Sequence, residues 1–137
     1  MRASLSLVKP LSHLKEEQKA VDEIHLASIG LSLVRGTVAE MAGPSSTGKT
    51  SVAVSLLSEL TSTGEVCAIV DPVNAFDPVT AKLAGVELAN ILWVRCRGDI
   101  EKAFMAADYL VQAKGFGAIW LARISLFTGD YNTTLHL

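Results

Sequence analysis

The spacing of apolar residues changes twice along this chain, and each change predicts a different kind of element. Ser12 is placed to cap a helix running to about Ser28, with Leu14, Val21 and Ile24 on one face. Lys15, Glu16, Glu17 and Lys19 occupy the opposite face, the pattern of a solvated packing helix. From Gly36 onward, short apolar runs alternate with segments of helical spacing. The runs predict strands at Thr37–Met41, Val66–Val70, Ile91–Arg95 and Gly117–Leu121. Between them, Val52, Ala53, Leu56, Leu57 and Leu60 predict a helix over Lys49–Leu60, and a shorter one is expected near Pro78–Leu83. Ile100, Ala103, Phe104, Ala107 and Leu110 predict a third over Ile100–Val111. Strands alternating with helices imply an α/β fold with a mostly parallel sheet of about four strands and right-handed crossovers. Ligands of such sheets bind at the C-terminal ends of the strands. After Leu121 the pattern breaks down into a short apolar piece (Ile124, Leu126, Phe127), a turn at Thr128-Gly129-Asp130 and a polar tail. The expected division is residues 1–35 as a helical segment, 36–121 as the core and 122–137 as an atypical tail.

The junction of the first core strand with its helix carries the chemistry. Gly43-Pro44-Ser45-Ser46-Thr47-Gly48-Lys49-Thr50 fits G-x-x-x-x-G-K-[ST] at every fixed position. Glycines let the backbone curl so that successive N–H groups face phosphate oxygens. Lys49 is expected to reach the terminal phosphates and Thr50 to ligate magnesium, with the helix dipole adding to the same anion site. Strand, glycine loop and helix in this order are the context the motif requires; the bland alternative is a Gly/Ser-rich turn before a helix.

Composition narrows the class. At 137 residues the chain is one domain with half its residues apolar, which suits a buried parallel sheet. A formal net charge of −2 provides no global attraction for nucleic acid or membrane. Neither a membrane-length apolar run nor a signal-peptide core is present, so a cytoplasmic protein is expected. Cys67 and Cys96 lie in separate apolar stretches and are expected to be buried, reduced thiols. His13 and His25 have no ligand partners at metal-binding spacing and are expected at the surface.

Between Gly36 and Leu121 the chain resembles the core of the bacterial RecA recombinase family. Besides the glycine loop, the resemblance rests on Val70-Asp71, Ala75-Phe76-Asp77-Pro78-Val79, Ala81-Lys82, Gly85-Val86, Ala106-Ala107-Asp108-Tyr109-Leu110-Val111 and the strand Gly117–Leu121. It implies a RecA-like P-loop ATPase core, ATP and Mg2+ as ligands, and a setting in DNA recombination, repair or the SOS damage response. Single-stranded DNA or a repair protein is the implied partner. Asp77 matches a family position near the adenine, where it would contact the base edge or simply cap a helix.

Departures from the family concern hydrolysis, which needs a carboxylate to orient water and an acid in the magnesium shell. Val73 stands where the family has its water-orienting glutamate, Thr80 where it has an adenine-stacking tyrosine, and Ala122 where an aspartate normally ends the strand. Asp71 is open to two roles, magnesium-shell acid or cap of the following turn. The tail Arg123–Leu137 resembles nothing in the family, so a core incomplete at its C-terminus is expected; a reading frame shifted after Leu121 would account for it. The last strand would then expose an edge and invite self-association. The leading expectation is an ATP-binding protein with weak or no hydrolysis. An active DNA-dependent ATPase and a non-catalytic interaction module or relic are the alternatives.

Overall fold

The computed structural model describes residues 20–127 and 130–137. Its first element contradicts the helix expected to run to Ser28. Residues 23–26 form β1 (Glu23–Leu26), which pairs antiparallel with β2 (Leu31–Val34). The physical reason lies in the local alternation: Ile24 and Leu26 are buried while Glu23 and His25 are exposed, which is a strand period of two. Gly30, at φ 63°, helps close the turn between the strands. The part of the expected helix from Ser12 to residue 19, with His13, lies outside the described residues.

A five-stranded sheet follows, with order β3-β7-β6-β4-β5. Its strands are β3 (Val38–Met41), β4 (Cys67–Asp71), β5 (Ile91–Arg95), β6 (Ile119–Phe127) and β7 (Asp130–His136). β4 pairs in parallel with both β5 and β6, as the β–α alternation predicts. The other half corrects the expectation of a mostly parallel sheet, because β7 pairs antiparallel with β6 on one side and with β3 on the other. The sheet is therefore mixed. Residues expected to be a polar tail supply an interior strand, and β6 runs on past Leu121 instead of ending there. β6 is not an edge; among the described residues β3 and β5 are. Gly36 and Leu137 continue the β3–β7 pairing, with the Gly36 N–H donating to the Leu137 carbonyl at 2.9 Å and the Leu137 N–H to that of Thr37 at 3.0 Å.

Helices cover both faces. On one lie α1 (Lys49–Ser62), α2 (Pro78–Leu83) and the β1–β2 hairpin; on the other lies α3 (Ile100–Ala113). The fully buried β4 divides its side chains between the two layers. Cys67 and Ile69 pack with Leu56, Leu57, Leu60 and Trp120, whereas Ala68 and Val70 pack with Ala103, Ile119 and Leu121. Both cysteines are buried and unbridged, as expected. Arg35 fastens the hairpin to the core: its guanidinium donates to both carboxylate oxygens of Glu65 at 2.9 and 2.6 Å, with Asp22 3.4 Å away. The hydrogen bonds to Glu65 hold its pKa above the ordinary value. Among the described residues, no helix is long and apolar enough to cross a membrane.

Candidate functional site

The loop between β3 and α1 takes the shape that its sequence allows. Gly43 and Gly48 have φ values of 143° and 84°, where a side chain would be strained. Ser46 adopts φ 63° without being glycine, so the curl is enforced over most of the loop. Gly48 occupies the N-cap of α1 and no side chain caps the helix. The N–H groups of its first turn have no partners within the helix and no acidic residue beside them, a combination that favours an anion. Pro44, Ser45, Ser46, Thr47 and Thr50 are all exposed, so the face of the loop is accessible.

Lys49 is half-buried and folded against the loop. Its ammonium donates to the carbonyls of Gly43 at 2.8 Å and Pro44 at 2.5 Å, and to Thr47 Oγ1 at 3.0 Å. Thr47 Oγ1 in turn donates to the Pro44 carbonyl at 2.9 Å. The sequence motif gives the lysine its place but not this bridge, which depends on a hydroxyl at a position the motif leaves free. As a cradle for a phosphate chain the residues fit: the helix end is uncapped, a cation stands at the loop, and nothing lies within 4 Å of a Cβ built on Gly48.

The two aspartates are placed elsewhere and do other work. Asp71 ends β4, three strand positions from β3 in the sheet, or roughly 14 Å at normal strand spacing. It is fully buried, and its carboxylate accepts from the N–H groups of Ala75 at 2.9 Å and Phe76 at 3.0 Å and from Trp93 Nε1 at 3.1 Å. Of the two roles open to it, the structure supplies the turn cap, and the indole donor from β5 is an addition that local sequence could not reveal. Phe76 packs edge-on against Trp93 with centroids 5.3 Å apart, and the Arg95 guanidinium lies 4.9 Å over the Trp93 ring. Asp77 caps α2, accepting from the Val79 N–H at 3.0 Å and from the Thr80 hydroxyl. The Thr80 bond, followed by that from Val79, holds its carboxyl below the usual range.

At the positions where the resemblance calls for acids, Val73 is exposed and Ala122 is a buried part of the core. Among the described residues, no group of three or more His, Cys, Asp or Glu could hold a metal ion.

Comparison with known proteins gives a consistent picture. The family model described as the RecA N-terminal domain matches residues 12–129. The chain is 37% identical over 106 residues to Protein RecA of Acidiphilium cryptum, an alignment covering 72% of this chain and 31% of that protein. Protein RecA of Borrelia duttonii is 35% identical over 94 residues, 69% of this chain and 26% of the relative. That of Parvibaculum lavamentivorans is 30% identical over 120 residues, 82% and 33% of the two chains. The chain thus spans a quarter to a third of the length of these relatives.

Proposed function

The chain belongs to the bacterial RecA family, and on that premise we propose that it binds magnesium–ATP at a P-loop formed by Gly43–Thr50 and hydrolyses it weakly or not at all. The observation that carries this reading is the uncapped N-terminus of α1 with the Lys49 ammonium standing at it. Backbone N–H groups from Ser45 to Thr50 bind phosphate oxygens, Lys49 neutralises the terminal phosphates, and the Thr50 hydroxyl holds magnesium. Bound magnesium spreads the charge of the β and γ phosphates. The positions at which the resemblance calls for catalytic acids hold none. Val73 and Ala122 can neither orient a water nor ligate a metal. Asp71 supplies no replacement, since its carboxylate already serves three N–H donors inside the core. Asp77 caps α2 and is exposed, so its remaining lone pairs could also accept from a base edge.

Descent within the family supports a setting in DNA recombination, repair and the SOS response, in the cytoplasm, with single-stranded DNA or a repair protein as partner. Among the described residues β3 stands at an edge of the sheet, which gives a route to self-association. Lys49→Ala tests the site. Titration with a fluorescent ATP analogue should show binding to the wild type and none to the variant, with superimposable circular dichroism. Equal affinity in the two would move the site away from the loop.

A further inference from the structure

An ammonium group has three N–H donors, and all three of Lys49 are engaged within its own loop. A phosphate oxygen can be bound by this side chain only after at least one of those bonds is given up. Two of the three acceptors are backbone carbonyls, which every sequence would provide. The third is the Thr47 hydroxyl, and it acts twice: it accepts from Lys49 at 3.0 Å and donates to the Pro44 carbonyl at 2.9 Å. Pro44, Thr47 and Lys49 thereby close a ring of hydrogen bonds in which Pro44 O also receives the ammonium at 2.5 Å. Thr47 is exposed and contributes nothing to the core.

From this geometry we infer that Thr47 is a positioning residue, whose hydroxyl latches Lys49 back onto the loop until a triphosphate displaces it. The inference rests on the reading of the loop as a triphosphate site and adds a control on its occupancy. Opening the latch lies on the path of entry, so it restrains association. It acts on the phosphate end of the ligand and is indifferent to the base.

The test uses the full chain and two probes, magnesium–ATP and inorganic tripolyphosphate, with affinity and association rate measured for wild type, Thr47→Val, Thr47→Ala and Thr47→Ser. Loss of one solvent-exposed hydrogen bond, at the ordinary net strength, should make Thr47→Val and Thr47→Ala bind both probes about 3- to 10-fold more tightly. The gain should appear in the association rate, and Thr47→Ser, which restores a hydroxyl, should return to wild-type values. A hydroxyl that merely braces the loop predicts the opposite sign, weaker binding by both variants. Weaker or unchanged binding by Thr47→Val and Thr47→Ala overturns the latch while leaving the nucleotide site standing. So does a serine variant that behaves like the valine one. Failure of the wild type to bind either probe overturns the site and the latch together.

Discussion

Asp71 illustrates how one side chain can be assigned two roles by sequence and one by structure. An aspartate at the end of an apolar strand can serve as a metal-shell acid or as a turn cap until its neighbours are known. The three N–H groups that it satisfies come from a local turn and from Trp93, 22 residues away. The turn was legible in Asp71-Pro72; the indole was not, because it depends on β5 lying beside β4. Replacing Asp71 by alanine strands three donors at a buried site, and should destabilise the fold by more than about 3 kcal/mol in urea unfolding. A loss below about 1 kcal/mol would mean that water reaches those donors. Cys67 supplies a test that turns on pH. Burial pushes its thiol up to about 11 from an ordinary 9.0. The unfolded chain ionises first, so stability is complete below pH 9 and falls between 9 and 11 as the thiolate favours unfolding. Wild type should therefore lose more stability than Cys67→Ala over that interval, and parallel profiles would refute the assignment.

Elements with strong periodicity were legible to within a residue or two. Lys49–Ser62 and Ile100–Ala113 begin where the apolar spacing places them, and Ile91–Arg95 matches its expected bounds. The miss at Glu23–Leu26 has a physical cause. Val21 and Ile24 fit a helical stripe, although Glu23-Ile24-His25-Leu26 also alternates in twos. The ambiguity was settled from outside the segment, by the pairing with Leu31–Val34 and by burial of Ile24 and Leu26 with α1. Arg35 and Glu65 join this hairpin to the sheet through two parallel hydrogen bonds. A double-mutant cycle on the pair should give a coupling of about 1 kcal/mol, reduced by solvent because both side chains are near 30% exposed. Zero coupling would leave the hairpin held by its apolar contacts alone. Gly117 belongs to the same junction: a Cβ there would run into the Glu65 side chain, which Arg35 pins in place. Gly117→Ala should accordingly cost about 1–3 kcal/mol, and a neutral substitution would show that Glu65 can step aside.

The fold as a unit depends on residues that the sequence marks as least structured. Beyond Leu121 no period is sustained, since a strand paired on both sides takes its identity from neighbours distant in the chain. Yet among the described residues β7 is the only strand paired with β3, whose end carries the glycine loop. Cutting the chain after Leu121 should remove cooperative unfolding along with nucleotide binding. A truncated protein that kept a sharp urea transition would show that β3 can be held without β7. The place of the loop was legible, because eight consecutive residues mark it; the Lys49–Thr47 bridge and the separation from Asp71 were not, because they depend on the folded loop and on strand order. Under the proposed function, that separation leaves a bound nucleotide away from Asp71. Calorimetric titration with magnesium–ATP, followed by phosphate release measured on the same sample, decides the matter. Saturable binding with phosphate release at the background rate is the predicted result. Turnover well above background that disappears in Lys49→Ala would contradict it, and would require a catalytic carboxylate other than Asp71.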